Sequence, residues 1–191
     1  MTTKEKLLAL LEDSKGTFFS GEEIARTLQV SRAAVWKAVN ALREDGYIVD
    51  AATNKGYRLS PDSDILSPQG IRRFLKPEYR DLDLTVLPTA PSTNALVREK
   101  ANQGRPEGCI IIACEQTAGR GRYGRQFFSP VDSGVYLSLL LRPTAYSPQQ
   151  ATCLTAAAAA AMCQAIEAVT GQQPGIKWVN DIFLHGKKVC G

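Results

Sequence analysis

The stretch Ser31–Ser60, SRAAVWKAVNALREDGYIVDAATNKGYRLS, predicts a helix followed by a β-hairpin. Val35, Val39 and Leu42 recur at the spacing of one helical face. Ser31 stands before this face and is a preferred N-cap residue. After the helix, two short runs rich in β-forming residues flank an Asn-Lys-Gly turn, which is typical of a hairpin.

Two more helices are predicted upstream of this stretch. Leu7, Leu8 and Leu11 give the first helix one apolar face. The second helix begins with Ser20 followed three residues later by Glu23, the pattern of a capping box. Three short helices, the last two joined by a tight turn, and a terminal hairpin are the order of a winged helix-turn-helix. In that fold the third helix enters the major groove and the hairpin contacts the DNA backbone.

Polar side chains on the third helix and the hairpin turn are the candidate DNA-binding residues. Arginine, lysine and asparagine read base edges or hold phosphates. Residues 1–60 contain nine basic and eight acidic residues, so the pattern and not the bulk charge supports DNA binding. A protein-binding winged helix is the alternative. The candidates are Ser31, Arg32, Lys37, Asn40, Arg43 and Lys55.

A domain boundary is predicted within residues 60–68, where the sequence SPDSDILSPQG begins. Its two prolines and three serines are typical of a loop between domains. We therefore expect a DNA-binding domain at residues 1–62 and a second domain at residues 68–191.

The second domain contains a glycine-rich, arginine-rich loop, Gly119–Arg125, GRGRYGR. It follows the apolar stretch Cys109–Cys114, which predicts a strand buried on both faces. Glycines let a backbone approach an anion closely. Arg120, Arg122 and Arg125 offer planar donors suited to phosphate or carboxylate. The loop therefore predicts a site for a phosphorylated ligand, and an RNA-binding patch is the alternative.

Ser92, Thr93 and Asn94 are predicted at the N-terminus of a helix. Free backbone N–H groups and short polar side chains there can hold a polar ligand, although simple capping explains the same residues. Near the end of the sequence, Lys177 and Lys188 flank a predicted hairpin.

Composition excludes several classes of protein. The 191 residues carry a net charge of +4 and a hydrophobic fraction of 44%, the values of a globular domain. The N-terminus lacks the pattern of a signal peptide, and the apolar run Ala156–Cys163 is too short to span a bilayer. Five cysteines without a C-x-x-C pair predict buried, reduced thiols and a cytoplasmic protein. The loop does not match the Walker A order.

Three segments resemble the signature segments of biotin–protein ligases: GRGRYGRQFFSP, KWVNDIFLHGKKVCG and PSTN. With the winged helix-turn-helix, the chain resembles the bifunctional form that is both a biotin–[acetyl-CoA-carboxylase] ligase and a biotin operon repressor. The resemblance implies an α+β fold, in which a mixed-sheet biotin/lipoate-ligase-like catalytic domain follows the winged helix. The family pattern continues past Gly191, so we expect this catalytic domain to be incomplete at its C-terminus.

The resemblance also implies the chemistry. Biotin and ATP, with Mg²⁺, form biotinyl-5′-AMP, and a lysine of biotin carboxyl carrier protein then accepts the biotin. A homodimer promoted by biotinyl-5′-AMP would bind operator DNA in the cytoplasm, without a membrane.

Site residues follow from the resemblance in three groups. Biotin would be held by Ser92, Thr93, Asn94, Gln116, Arg120, Gly121, Arg122 and Lys188. The nucleotide would be held by Gly119, Arg120, Arg125, Phe127, Asn180 and Asp181, with Mg²⁺ near the last of these and no metal-binding cluster of protein side chains. Catalytic roles would fall to Arg122, Lys177 and Lys188. Phe127 stands where the family commonly has tryptophan.

Two other functions fit the same sequence. One is a ligand-sensing DNA-binding regulator without ligase activity. The other is a DNA-binding module whose second domain only dimerises. In the ligase and repressor reading, homodimer pairing is expected at the strand edges near Val135–Leu141 and Val189–Gly191.

Overall fold

The computed structural model describes residues 1–121, 125–131, 133–144, 147 and 150–191, with the backbone alone for residues 151 and 152. The chain folds as two compact units, Met1–Leu141 and Arg142–Gly191.

The first unit begins with the predicted winged helix-turn-helix. Strands β1 and β2 pair antiparallel from Val49 opposite Leu59 to Ala52 opposite Gly56. Their turn lies at the predicted Asn-Lys-Gly sequence. The elements in order are α1 (Thr3–Asp13), α2 (Gly21–Leu28), α3 (Arg32–Glu44), β1 (Val49–Ala52) and β2 (Gly56–Leu59).

Side-chain caps fix where the first helices begin. The capping box predicted at Ser20 and Glu23 is present, and hydrogen bonds from Ser20, above all from its backbone N–H, lower the pKa of Glu23. A second capping box joins Thr2 and Glu5. Each box satisfies backbone N–H groups that a helix N-terminus leaves without partners.

The core of the winged helix consists of the predicted apolar faces. Leu7, Leu11, Val39 and Leu42 are fully buried, as is Ile24 from α2. Burying a side chain of this size contributes about 1.5–3 kcal/mol. The helical spacing in the sequence therefore identified the residues that hold the three helices together.

The segment predicted as a domain boundary is packed against the winged helix. Ser63 is buried, and its Oγ accepts a hydrogen bond from the Ile48 N–H at 3.3 Å. Ser67 caps the short helix α4 (Pro68–Arg72), and its hydroxyl lies 3.4 Å from Glu12 of α1. The predicted boundary itself, and with it the two domain ranges, stays a prediction.

A three-stranded mixed sheet follows in the same unit. Strand β4 pairs parallel with β3 and antiparallel with β5, in the order β3-β4-β5. Ile111 and Ile112 are both buried, so both faces of β4 are covered, as predicted. The elements are a 3₁₀ helix (Pro77–Tyr79), β3 (Leu84–Leu87), α5 (Thr93–Asn102), β4 (Ile110–Ala113) and β5 (Tyr136–Leu139).

The cysteines depart in part from the prediction of buried thiols. All five belong to the described part of the chain and carry free thiols. Cys109 is buried, and burial raises its pKa. Cys153 is exposed on a long helix and the other three are half-buried, so the prediction of burial was wrong for them. The pattern of apolar residues around Cys153 in the sequence does not show which face of this helix packs against the rest of the protein.

The second unit contains one long helix and an antiparallel sheet in the order β6-β7-β8. The predicted turn at His185 and Gly186 joins the last two strands, and both residues have positive φ, 50° and 74°. The elements are α6 (Ala151–Thr170), β6 (Gly175–Lys177), β7 (Asp181–Leu184) and β8 (Lys187–Cys190).

Helix α6 ends at Gly171, and this glycine is in the left-handed conformation. Ala159 is buried, but most of its other described side chains are exposed. The described side chains of α6 are therefore covered over only a small part of the helix surface. By length and composition alone, Cys153–Thr170 could cross a membrane, with a mean hydropathy of 1.4, a test that core helices of water-soluble proteins also pass.

Gly56 offers a test of the hairpin's attachment. It has a φ of +93°, and a Cβ there would overlap the Phe19 carbonyl oxygen and lie 2.6 Å from the Cα of Ser20. We expect Gly56→Ala to cost at least about 2 kcal/mol more than left-handed strain alone, because backbone atoms must move apart. Amide hydrogen exchange of α1–α3, and of α5 for the control variant Gly104→Ala, measures this loss.

Gly104→Ala is the matched control. Gly104 has a φ of +79°, and no described heavy atom lies within 4 Å of a Cβ placed there. It therefore reports strain without overlap, at about 1 kcal/mol. Equal losses in the two variants would contradict the close approach of the hairpin to Phe19.

Candidate functional site

The predicted DNA-binding residues lie on α3 and the hairpin turn. Arg32 and Lys37 are exposed, as is Lys55 at the turn, while Asn40 is half-buried. Ser31 caps α3, since its Oγ accepts a hydrogen bond from the Ala34 N–H at 3.2 Å. Arg32 and Lys37 on α3, and Lys55 at the hairpin turn, are thus exposed on the elements that a winged helix presents to DNA.

Arg43 has a structural contact that the sequence did not predict. Its Nε and Nη2 donate to the carbonyl oxygen of Val49 at 3.0 and 2.7 Å, which joins the end of α3 to the start of β1. An arginine engaged in this way has fewer donors for a phosphate. Its predicted DNA contact stays a prediction.

Trp36 is 58% exposed and lies on α3 beside the hairpin. It lines an open groove together with Arg32, Ala33, Ala51 and Tyr57. An exposed indole next to arginine can pack against sugars or base methyl groups.

Lys37 and Arg43 allow the DNA surface to be tested. We expect Lys37→Ala to weaken operator binding and to lower the slope of log K against log salt by about 1, because one phosphate contact is lost. Arg43→Ala should instead lower the free energy of unfolding by about 1–2 kcal/mol, because Val49 loses its two donors. Binding to operator DNA selected from a random pool, and thermal unfolding, measure the two effects. An unchanged salt slope in Lys37→Ala would remove it from the DNA surface.

The N-terminus of α5 is the first part of the candidate ligand site. Ser92 is its N-cap, with Oγ 3.4 Å from the Ala95 N–H, so the simple capping role is present. Thr93 is 3% exposed, and Asn94 is exposed. The three predicted residues thus occupy one helix N-terminus, where partial positive charge favours polar or anionic groups.

Gln116 joins this helix N-terminus to the glycine-rich loop. Its Oε1 accepts hydrogen bonds from the Thr93 N–H at 2.8 Å and from Thr93 Oγ1 at 3.2 Å. Its Nε2 donates to Ser129 Oγ at 3.1 Å. Thr93 Oγ1 also lies 2.9 Å from Ser138 Oγ on β5. The predicted residues Thr93 and Gln116 are therefore brought together as one hydrogen-bonded group.

The loop folds back on itself. The Phe127 N–H donates to the Gly119 carbonyl oxygen at 3.0 Å, and the Gly121 N–H donates to the Arg125 carbonyl oxygen at 2.7 Å. A Cβ at Gly119 would lie 2.5 Å from the Phe127 carbonyl oxygen. The sequence predicted that glycine at this position lets an anion approach the backbone closely. In the structure, the group that lies close to Gly119 is the returning segment of the same loop.

Cationic and aromatic side chains of the loop face solvent. Arg120 and Arg125 are exposed, and Phe127 is 37% exposed. Arg122, predicted to bind biotin and to take part in catalysis, lies outside the described residues, as do Tyr123 and Gly124. The described arginines and the aromatic ring belong to one loop that begins beside Gln116.

The second unit brings together three of the predicted residues. Lys177 stands opposite Asp181 on neighbouring strands, and Lys188 Nζ lies 2.8 Å from Asp181 Oδ1. The ammonium of Lys177 lies 5.9 Å from the centroid of the Phe183 ring. Asn180 is half-buried next to this group. Two lysines beside one carboxylate leave a net positive charge suited to phosphate oxygens.

No cluster of three or more metal-ligating side chains occurs among the residues that the structure describes. Asp181 supplies one carboxylate, the oxygen type that Mg²⁺ prefers. Because Mg²⁺ usually binds through one or two carboxylates and substrate phosphates, a single carboxylate fits an ion that arrives with a nucleotide.

Two serines in this site were missed by the sequence analysis. Ser129 is buried at the end of the loop, and Ser138 contacts Thr93 from β5. A signal existed for the second, since Ser138 interrupts the apolar run YLSLLL. For Ser129, the end of the glycine-rich loop at FSP marked the position but not its partner.

Two comparisons with known families match most of the chain. Residues 3–58 match an HTH domain. Residues 86–191 match the Biotin/lipoate A/B protein ligase family. The chain belongs to the biotin/lipoate A/B protein ligase family. This confirms the family predicted from the signature segments.

Relatives of this ligase family combine both parts. The Bifunctional ligase/repressor BirA of Bacillus spizizenii is 42% identical over 190 residues, 100% of this chain and 58% of the relative. The protein of that name from Escherichia coli is 34% identical over 100% of this chain and 57% of its own length. The chain thus spans somewhat more than half the length of these curated relatives.

A solved structure of a family member overlaps with part of the chain. The biotin protein ligase from Aquifex aeolicus in complex with biotin and ATP is 29% identical, with a TM-score of 0.47. The overlap covers 56% of this chain and 43% of the Aquifex chain.

Proposed function

We propose that the protein activates biotin with ATP and transfers it to a lysine of biotin carboxyl carrier protein, and that it represses transcription of biotin genes. The observation that carries the ligase half is the hydrogen-bonded group of Thr93 and Gln116 at a helix N-terminus, beside the base of an arginine- and glycine-rich loop. Membership of the ligase family and the names of the relatives support the same function.

The reaction has two steps. In the first, a carboxylate oxygen of biotin forms a bond to the α-phosphorus of ATP, and the bond to the bridging oxygen breaks, which releases pyrophosphate. In the second, the neutral amine of the acceptor lysine attacks the acyl carbon of biotinyl-5′-AMP. AMP leaves, and the amine proton passes to solvent.

Cations are needed because the first step brings two anions together. In this proposal Lys177 and Lys188 offset the charge of the biotin carboxylate and the phosphates. Arg120, Gly121 and Arg122 belong to the loop that covers the intermediate, Arg125 and Phe127 contact the nucleotide, and Asn180 lies in the phosphate region. Mg²⁺ bound with ATP would neutralise phosphate oxygens, and Asp181 is the carboxylate that could help to hold it.

The biotin group would lie at the α5 N-terminus. Ser92, Thr93 and Asn94 offer hydroxyl and amide groups for the polar ring of biotin. Gln116 has a second proton on Nε2 besides the one donated to Ser129, so it can still donate to a ligand. These neutral donors and acceptors support a polar ring as the ligand rather than a nonspecific anion.

The repressor half rests on the exposed face of α3 and the hairpin. A single helix-turn-helix covers too little DNA for tight binding, so such modules commonly act as dimers on two-fold symmetric sites. Strands β5 and β8 lie at the edges of their sheets in the described structure, as the predicted pairing requires. We propose a cytoplasmic homodimer, in keeping with free thiols at all five cysteines.

Lys188 tests the ligase half. In the full-length protein, we expect Lys188→Ala to slow biotin-dependent pyrophosphate release at least about tenfold, because a cation beside the developing charge is lost. Lys188→Arg keeps the charge without the shape and should fall between the two. Lys187→Ala is the matched control, since it removes the neighbouring exposed lysine. Equal rates in Lys188→Ala and the wild type would remove Lys188 from the site.

The repressor half is tested by ligand-dependent association. We expect biotinyl-5′-AMP, more than biotin, to raise the dimer fraction in sedimentation and the affinity for operator DNA. The physical reason is that a ligand shifts an equilibrium by its differential affinity for the two states. Equal dimer fractions and equal operator affinities with and without the intermediate would contradict the repressor and leave the ligase.

The same experiments separate the alternatives. A ligand-sensing regulator without ligase activity would bind biotin and DNA but release no pyrophosphate from ATP. A module whose second domain only dimerises would give no heat of biotin binding in calorimetry.

A further inference from the structure

Ser129 lies at the base of the glycine-rich loop, on the segment that returns from it. Its side chain is 4% exposed. The hydroxyl donates to the Phe127 carbonyl oxygen at 3.1 Å and accepts from Gln116 Nε2 at 3.1 Å. The Ser129 carbonyl oxygen also accepts from the Gln116 N–H at 3.0 Å. One side-chain and one backbone hydrogen bond therefore join Gln116, which precedes the loop, to Ser129, which follows it.

The hydrogen bonds through Ser129 have one possible direction. The Phe127 carbonyl oxygen can only accept, so the single hydroxyl proton of Ser129 is donated to it. Ser129 Oγ must then accept, which places the amide nitrogen of Gln116 on this side. At the other end the Thr93 N–H can only donate, so it requires Gln116 Oε1. A reversed amide would bring two donors together at Thr93.

The same chain of bonds connects two parts of the site. It runs from the N-terminus of α5 through Gln116 and Ser129 to the Phe127 carbonyl group. Gly119 is bonded to the Phe127 N–H at 3.0 Å, and a Cβ at Gly119 would lie 2.8 Å from Ser129 Oγ. The first glycine of the loop therefore packs directly on this serine.

We propose that Ser129 is a positioning residue of the ligase site. It orients the Gln116 amide toward the ligand and holds the returning strand of the loop against the α5 N-terminus. This proposal rests on the proposed function, in which Gln116 contacts biotin and the loop covers biotinyl-5′-AMP. Through Ser129, a ligand bound at Gln116 stabilises the closed base of the loop.

A buried hydroxyl in this place is costly unless both of its bonds form. Replacing Ser129 by alanine removes the hydroxyl partner of Gln116 Nε2 and of the Phe127 carbonyl oxygen. Because Ser129 is buried, the loss of these hydrogen bonds costs free energy. The Gln116 amide is then held only at its Thr93 end, and the loop loses one of its two connections at the base. The effect is expected on the ligand and the loop, not on the winged helix.

The test compares Ser129→Ala with Ser133→Ala in the full-length protein. Ser133 is an exposed serine whose hydroxyl donates to the Pro130 carbonyl oxygen, so it controls for the loss of a hydroxyl in the same segment. The first measurement is amide hydrogen exchange of residues 116–121 and 125–129 without ligand. We expect roughly tenfold faster exchange in Ser129→Ala and no change in Ser133→Ala.

The second measurement is the dissociation rate of biotinyl-5′-AMP. We expect it to rise about tenfold in Ser129→Ala, with unchanged thermal stability of the winged helix. If Ser129→Ala does not fold, Ser129→Cys replaces the hydroxyl by a somewhat larger thiol, a weak donor and acceptor, and should show a smaller change in the same direction. In a double-mutant cycle with Gln116→Ala, the two substitutions should not add.

The outcomes distinguish a failure of the role proposed for Ser129 from a failure of the proposed ligase function. Exchange and dissociation rates in Ser129→Ala that equal those of Ser133→Ala overturn the role of Ser129. Additive effects of Ser129→Ala and Gln116→Ala overturn it as well. Faster loop exchange in Ser129→Ala, in a protein whose wild type binds no biotinyl-5′-AMP, overturns the proposed ligase function and supports the connection between Ser129 and the loop.

Discussion

The amide of Gln116 must satisfy two segments of chain at once, and the candidate ligand site depends on this constraint. Its oxygen accepts from the backbone of α5, and its nitrogen donates to the end of the glycine-rich loop. Buried polar groups without partners cost about 1–3 kcal/mol each. Any arrangement that separates α5 from the loop base would therefore leave several groups unpaired, so the loop's stem is fixed even though Arg120 and Arg125 face solvent.

The winged helix uses the same principle with backbone groups. Phe19 and Tyr57 exchange backbone hydrogen bonds at 2.8 and 2.9 Å, which attaches the hairpin to the segment before α2. Arg43 attaches the hairpin's first strand to α3 through the Val49 carbonyl oxygen. A wing helps to bind DNA when its distance from the recognition helix is set, and these bonds set it from two sides.

Sequence patterns predicted the elements that depend on local chemistry. The caps at Ser20, Ser31 and Ser92 agree with the structure because each is decided within a few neighbouring residues. Contacts set by folding were not predictable in this way. Ser129 and Gln116 are thirteen residues apart in sequence and come into contact only when the chain between them folds. The motif that marks the loop does not show which of its residues face inward.

Charge in the second unit is arranged differently from polarity in the first. Lys188 and Asp181 form an ion pair at 2.8 Å, but both side chains are more than a third exposed, so the pair contributes little to stability. A weak pair is easily exchanged. Under the proposed function, phosphate oxygens would compete with the Asp181 carboxylate for Lys188. Each unit is thus suited to a different kind of group: the directional hydrogen bonds around Gln116 favour a neutral polar group, whereas the exposed, exchangeable ion pair of the second unit favours a charge that binds and leaves.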